Sequence, residues 1–155
     1  MSWTLDPSAN LRVLLPFDFS EAATEALATA MKFAGTSERL YVLHVVPPIE
    51  AVSPSFLAGE LDPKQLLERA ESSLATALAK AGIEGAQLRV HMGDPASEIL
   101  SVAREVDAAM IVIPSQGKSG LRRWMIGSVA ERVVRRAACP VLVLPITSGD
   151  DADEA

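Results

Sequence analysis

The chain has 155 residues, 49% of them hydrophobic and 22% charged, which describes one globular domain and excludes a wholly disordered or fibrous chain. Its net charge of −6 argues against a nucleic-acid partner, and its single cysteine, Cys139, excludes an internal disulfide. No run approaches the roughly 18 apolar residues of a membrane span, and Met1 to Asn10 lacks the basic and apolar regions of a signal peptide. A cytoplasmic protein with no membrane partner is therefore expected.

Residues 1–10 read as an N-terminal extension, 11–146 as the domain and 147–155 as an acidic tail. Leu11 to Pro16 is a short apolar run, strand-like. Ser20 precedes a stretch of alanines and leucines at helical spacing and is placed to cap it; Gly35 ends it. Arg39 to Val46 reads as a second buried strand, stopped by Pro47 and Pro48. A loop runs to about Leu61, and Asp62-Pro63 opens a helix to about Ala81 with an apolar stripe through Leu66, Leu67, Ala70, Leu74 and Leu78. Gln87 to Met92 alternates as a third strand, Gly93-Asp94-Pro95 is a turn, and Ala96 to Val106 is helical. Ala108 to Ile113 is a fourth buried strand, Pro114 to Ile126 a basic loop containing glycine, Ser128 to Ala138 a helix and Val141 to Leu144 a last strand.

Continuous apolar strands alternating with amphipathic helices indicate an α/β domain with a parallel, doubly wound sheet. Ligands of such sheets sit at the carboxyl ends of the strands, where the strand order reverses. The informative loops are thus those after Pro16, Val46, Met92 and Ile113.

The loop after the fourth strand holds Gly117 and leads to Gly127-Ser128 at a helix start. Glycines let backbone amides approach phosphate oxygens, and a helix N-terminus favours an anion. The same glycines serve equally as a turn and a plain helix start. Charge is concentrated here: residues 117–136 carry six basic side chains (Lys118, Arg122, Arg123, Arg132, Arg135 and Arg136) against Glu131 alone. Lys118, Arg122 and Arg123 are placed to neutralise phosphates, whereas Arg132, Arg135 and Arg136 equally suit a solvated helix face with favourable dipole contacts. Asp18, just past the first strand, suits a ribose hydroxyl or a helix cap equally well. A receiver-domain phosphoacceptor is a third reading, but only Asp94 approaches the further acid it needs.

Other chemistries lack their residues. Gly117-Lys118-Ser119 resembles the end of a P-loop, but Val112 stands where its first glycine belongs. There is no Gly-x-Gly-x-x-Gly, no Gly-x-Ser-x-Gly elbow and no Cys/His cluster for zinc. His44 and His91 fall within strands and read as satisfied core residues; Cys139, before Pro140, reads as a small packing residue. No catalytic residue is expected.

From about Leu11 to Leu144 the chain resembles the universal stress protein family, in its adenine-nucleotide-binding branch. The resemblance rests on Val13 to Glu21 (VLLPFDFSE), on Leu43-His44-Val45, on Gly93-Asp94-Pro95 and above all on Gly117 to Pro145, with Ile126 to Val133 (IGSVAERV) and Cys139 to Val143 (CPVLV). The branch carries Gly-x2-Gly-x9-Gly-Ser/Thr; Gly117, nine residues and Gly127-Ser128 fit its second part, while Pro114 replaces the first glycine and Gln116 a usual His. Proline removes a donor and fixes φ near −65°.

The resemblance implies an adenine nucleotide alpha hydrolase-like fold, five strands in the order 3-2-1-4-5. It implies a regulator of stress response that binds ATP, ADP or AMP without catalysis, with no obligatory cofactor and with Mg accompanying ATP. The implied nucleotide site comprises Pro16, Phe17, Asp18, Val45, Ile113, Pro114, Ser115, Gly117, Gly127, Ser128 and Val129. Within it Asp18 would hold the ribose or base, Val45 would face adenine through its backbone, and Gly117, Gly127, Ser128 and Val129 would meet ribose and phosphates. Family members pair their last strands, so Val141, Leu142, Val143 and Leu144 are the implied homodimer edge; an apolar edge strand is exposed unless paired. Pro114 leaves open the alternative of a nucleotide-free dimeric interaction module.

Overall fold

The computed structural model describes residues 11–48, 62–117 and 126–146. The extension before Leu11, the loop to Leu61, the basic side chains Lys118, Arg122 and Arg123, and the acidic tail lie outside the described residues. Five strands, β1 (Val13–Pro16), β2 (Leu40–Val46), β3 (Gln87–Met92), β4 (Met110–Pro114) and β5 (Val141–Leu144), alternate with four helices. These are α1 (Glu21–Ala34), α2 (Pro63–Lys80), α3 (Pro95–Glu105) and α4 (Ser128–Arg136), with a short 3-10 turn at Ser37–Arg39. All strand pairs are parallel, in the order β3-β2-β1-β4-β5.

The two-residue period of the strands sorts their side chains into two cores. Val13, Leu15, Val42, Met110 and Val112 join α1 and α2 on one face, packing against Leu27, Leu74 and Leu78. Leu14, Leu43, Ile111 and Ile113 join α3 and α4 on the other, against Ile99, Val102, Ala130 and Val133. Both faces are covered, which is why β1 and β4 are apolar without alternation. The edge strands β3 and β5 are only half-buried.

Three helix starts are made by side chains. Ser20 accepts from the Ala23 amide at 3.1 Å, Asp62 from Lys64 at 3.0 Å and Asp94 from Ser97 at 3.0 Å. Pro63 and Pro95 occupy first-turn positions, where a missing N–H costs nothing. Helix α3 thus begins one residue before Ala96. It ends in a Schellman closure: the Asp107 amide donates to Arg104 O (3.2 Å) and Ala108 to Ala103 O (2.8 Å), with Asp107 at φ 52°. That turn consumes Ala108, so β4 starts at Met110. The usual signal for such a turn is glycine, as at Gly82 (φ 72°) after α2, and here an aspartate does the work. Helix α4 stops at Arg136 rather than Ala138 because Ala137 is already extended.

Candidate functional site

Strand order reverses at β1, which pairs with β2 on one side and β4 on the other. The β1–β2 pairing runs to Pro16↔Leu43 and the β4–β5 pairing to Pro114↔Leu144, but β1 and β4 pair only at Val13↔Met110 and Leu14↔Ile111. The hydrogen bonds explain why they part. Ile111 N–H donates to Pro140 O (3.0 Å) and Ser115 N–H to Leu144 O (2.7 Å), so odd-numbered amides of β4 face β5 and even-numbered positions face β1. Phe17 N–H donates to Leu43 O (2.7 Å), so position 16 of β1 faces β4 by the same alternation. Continuing the β1–β4 ladder requires the N–H of residues 16 and 114, and both are prolines. The ladder stops, and a crevice opens at the carboxyl ends of the strands.

The crevice is a cleft of about 550 Å³, within the range of roughly 300–1,000 Å³ typical of ligand pockets. The loops after Pro16, Val46 and Ile113 reach it, and so do all eleven residues of the implied nucleotide site: Pro16, Phe17, Asp18, Val45, Ile113, Pro114, Ser115, Gly117, Gly127, Ser128 and Val129; after Met92 it is the first residue of α3, Pro95, that does so. Leu43, His44, Pro47, Pro95, Ile99, Gln116 and Ala130 line it too and were not among the residues expected. Pro95 and Ile99 come from α3, whose approach to α4 no local pattern announces. Gln116, 8% exposed, has polar bonds within the protein although it replaces the usual His.

The floor and side walls are largely apolar. The polar features are few and convergent. Asp18 Oδ1 accepts from the Ser20 amide at 3.0 Å, which holds the N-cap residue of α1. Asp18 is not itself the cap of α1, which is Ser20; it holds that residue's amide and lines the cleft. A Cβ on Gly117 would stand 2.7 Å from Asp18 Oδ2, so only glycine lets the loop backbone lie against this carboxylate. Opposite, Gly127 N–H donates to Ser115 O at 2.7 Å and Gly127 O accepts from Glu131 at 2.9 Å. Gly127 brings no capping side chain, unlike the residues before α1, α2 and α3. The first-turn amides of α4, beginning with Ser128 and Val129, line the cleft without an acceptor supplied by the cap.

Both histidines have partners of their own. His44 Nδ1 lies 2.7 Å from Phe17 O, an acceptor, so this nitrogen carries the proton. Its ring stands edge-on to Phe19, centroids 4.7 Å apart, on the same face of β2 as Val42 and therefore towards α1. His91 Nδ1 lies 2.8 Å from Glu98 Oε2. Both rings are half-buried rather than in the core. Phe19 adopts φ 63°, strained for a bulky residue, and stacks edge-on to Phe17 at 5.2 Å as well. Cys139 is half-buried, and desolvation pushes its thiol up, consistent with a packing role.

The basic residues of α4 divide. Arg135 pairs with Glu131 at 2.9 Å along the helix. Arg132 is solvent-exposed and paired: its two terminal nitrogens reach the two Asp94 oxygens, each at 2.8 Å. The Arg132 hydrogen bond, then those from the Ser97 hydroxyl and amide, hold the Asp94 carboxyl well below the usual carboxylate range. Among the described residues no cluster of three or more His, Cys, Asp or Glu is placed to hold a metal ion, and no helix is long and apolar enough to cross a membrane.

Residues 10–145 match the universal stress protein family. The universal stress protein MJ0531 of Methanocaldococcus jannaschii is 35% identical over 139 residues, covering 86% of this chain and 81% of the relative. The solved structure of MJ0577, a universal stress protein of the same organism, superposes with a TM-score of 0.73 at 29% identity and covers 90% of this chain and 98% of that one. A universal stress protein solved in complex with cAMP superposes with a TM-score of 0.59 at 21% identity, covering 89% and 98%; at that identity the likeness concerns the fold. The sheet order and these neighbours make the fold adenine nucleotide alpha hydrolase-like.

Proposed function

The chain belongs to the universal stress protein family, and on that premise we propose that its cleft binds an adenine nucleotide (ATP, ADP or AMP) and that the protein acts as a non-enzymatic regulator of stress response. The observation that carries this reading is the uncapped start of α4 at Gly127, open to an apolar cleft with Asp18 across from it. Unpaired first-turn amides and the helix dipole suit a phosphate, the dipole contributing about 0.3–1 kcal/mol at an exposed helix end. The apolar walls, including Val45 and Ile113, suit a purine. Asp18 is an acceptor for ribose or base donors. A Mg ion would arrive with the triphosphate, since no described acid cluster is set out for it.

A binding role is favoured over catalysis by the side chains themselves. His44 turns its ring towards α1 and His91 is engaged by Glu98, so neither is set up as a general base in the cleft. The half-buried β5 edge, Val141 to Leu144, is the proposed homodimer seam. A second reading, a nucleotide-free dimeric module, is favoured by one observation: Pro114 presents a ring instead of a donor towards the cleft side of β4.

Equilibrium titration of nucleotide-stripped protein with labelled ATP, ADP, AMP and cAMP, with and without Mg, separates the two. Binding below millimolar ATP supports the first reading, and no binding at millimolar concentrations of any of them overturns it. Gly127→Val is expected to abolish binding with the fold retained, because a Cβ there already meets Ser115 O at 3.3 Å and a larger side chain would push the start of α4 away from the loop that lines the cleft. Phosphate release above the background of that variant would reveal catalysis.

A further inference from the structure

Asp94 and Arg132 are 38 positions apart and meet at the surface in a two-pronged bond, each N···O distance 2.8 Å. Asp94 is also the N-cap of α3, accepting from the Ser97 amide and hydroxyl at 3.0 and 2.6 Å. Its neighbour Pro95 lines the cleft. Arg132 stands one helical turn after Ser128, which lines the cleft from the other side. The contact therefore joins the beginning of α3 to the middle of α4, one turn after the start of that helix. Between the helices themselves the packing is apolar, through Ile99, Val102, Ala130 and Val133. Such packing constrains the helices by shape alone, whereas a guanidinium fork on a carboxylate adds a defined distance and angle.

We propose that Asp94 and Arg132 are positioning residues of the nucleotide site, a clamp that sets the spacing of the two helix starts flanking the cleft. The proposal rests on the nucleotide reading for its effect on binding. Arg132 acts through Asp94 and not as a phosphate ligand: each terminal nitrogen gives one N–H to that carboxylate, which fixes the guanidinium plane on α3. Arg135 has its own partner in Glu131 and takes no part.

The test uses Asp94→Asn, Arg132→Gln and the double variant, with Arg135→Gln as control. Asparagine caps a helix as well as aspartate does, so Asp94→Asn removes the clamp and spares the cap. Both side chains are over 40% exposed, so the effect is moderate: each single variant is expected to weaken ATP and adenosine alike by about threefold to fivefold, the upper range for an exposed pair. The double variant is expected to match the singles, because one interaction is lost in each. Weakening of ATP but not adenosine by Arg132→Gln, or tighter ATP binding by Asp94→Asn, would mean that Arg132 serves phosphate directly and would overturn the proposal. Arg132→Lys keeps the charge without the fork and is expected to behave as Arg132→Gln. Hydrogen exchange supplies a readout that needs no ligand. The Glu131 to Val133 amides should exchange several-fold faster in all three clamp variants and normally in Arg135→Gln. Unchanged exchange refutes the clamp even if nucleotide binds; faster exchange in a protein that binds no nucleotide retains the clamp while the nucleotide reading falls.

Discussion

Gly117→Ala tests the contact that joins the glycine loop to β1. A methyl group at residue 117 would stand 2.7 Å from Asp18 Oδ2, closer than such atoms approach in real proteins. The carboxylate has little freedom to swing away, since its other oxygen is held by the Ser20 amide at 3.0 Å. Gly117 lies outside the left-handed region, so alanine suffers no backbone strain and gains about 0.4–1 kcal/mol by restricting the unfolded chain. Overpacking costs about 1–3 kcal/mol, which leaves a net loss of roughly 1–2 kcal/mol. In urea that lowers the unfolding midpoint by about 0.5–1 M. Asp18→Ala removes the obstructing oxygen, so Gly117→Ala in that background should become neutral or slightly stabilising, a coupling of about 1–3 kcal/mol. Gly82→Ala is the reference: nothing lies within 4 Å of its added methyl, but φ is +72°, so it costs about 1 kcal/mol whatever stands at residue 18. If Gly117→Ala destabilises equally with and without the Asp18 carboxylate, the close approach is not what demands glycine and the reasoning fails.

Pro114→Gly returns a donor to the cleft side of β4; ATP should bind about threefold to tenfold tighter in equilibrium titration, and unchanged affinity would clear Pro114 of weakening the site. In β5 the carbonyls of Pro140 and Leu144 face β4, so the amides of Val141 and Val143 face outward. Val143→Pro should therefore abolish a β5-paired dimer in analytical ultracentrifugation while leaving the far-ultraviolet circular dichroism unchanged; a persisting dimer would place the seam elsewhere. Asp94 is held below its ordinary value of 3.8 in the folded state, so its contribution to stability is complete above that pH and is lost as the pH falls below it. The difference in thermal midpoint between the natural protein and Asp94→Asn should be constant from pH 5 to 7 and shrink towards zero in acid; a difference already falling between pH 7 and 5 would contradict the clamp geometry.

The two prolines at the strand ends show how a local residue choice has a distant consequence. Pro16 and Pro114 are ordinary strand terminators when taken singly. Side by side across the sheet, they withhold the two donors that would have continued the β1–β4 ladder, and the cleft lies where the ladder stops. The same prolines remove two backbone donors from the floor of the cleft.

Features that depend on neighbours along the chain were legible before any fold was known. Apolar strand runs, the caps at Ser20 and Asp62, and the glycine start of α4 are local patterns found where the sequence puts them, whereas the α4 stripe holds at Val133 but not at Val134, which is exposed. The resemblance carried this further, to eleven residues that all line one cleft. Boundaries failed where an aspartate performed a glycine's turn, as at Asp107. Only the tertiary structure decided which side chains meet across the fold. It set Gly117 against Asp18, brought Pro95 and Ile99 of α3 into the cleft wall, placed the His44 ring against Phe19, and joined Arg132 to Asp94. The physical reason is that periodicity fixes which face of an element is apolar, whereas the partner of a polar group depends on how two elements pack, and that is set by the shape of the whole core.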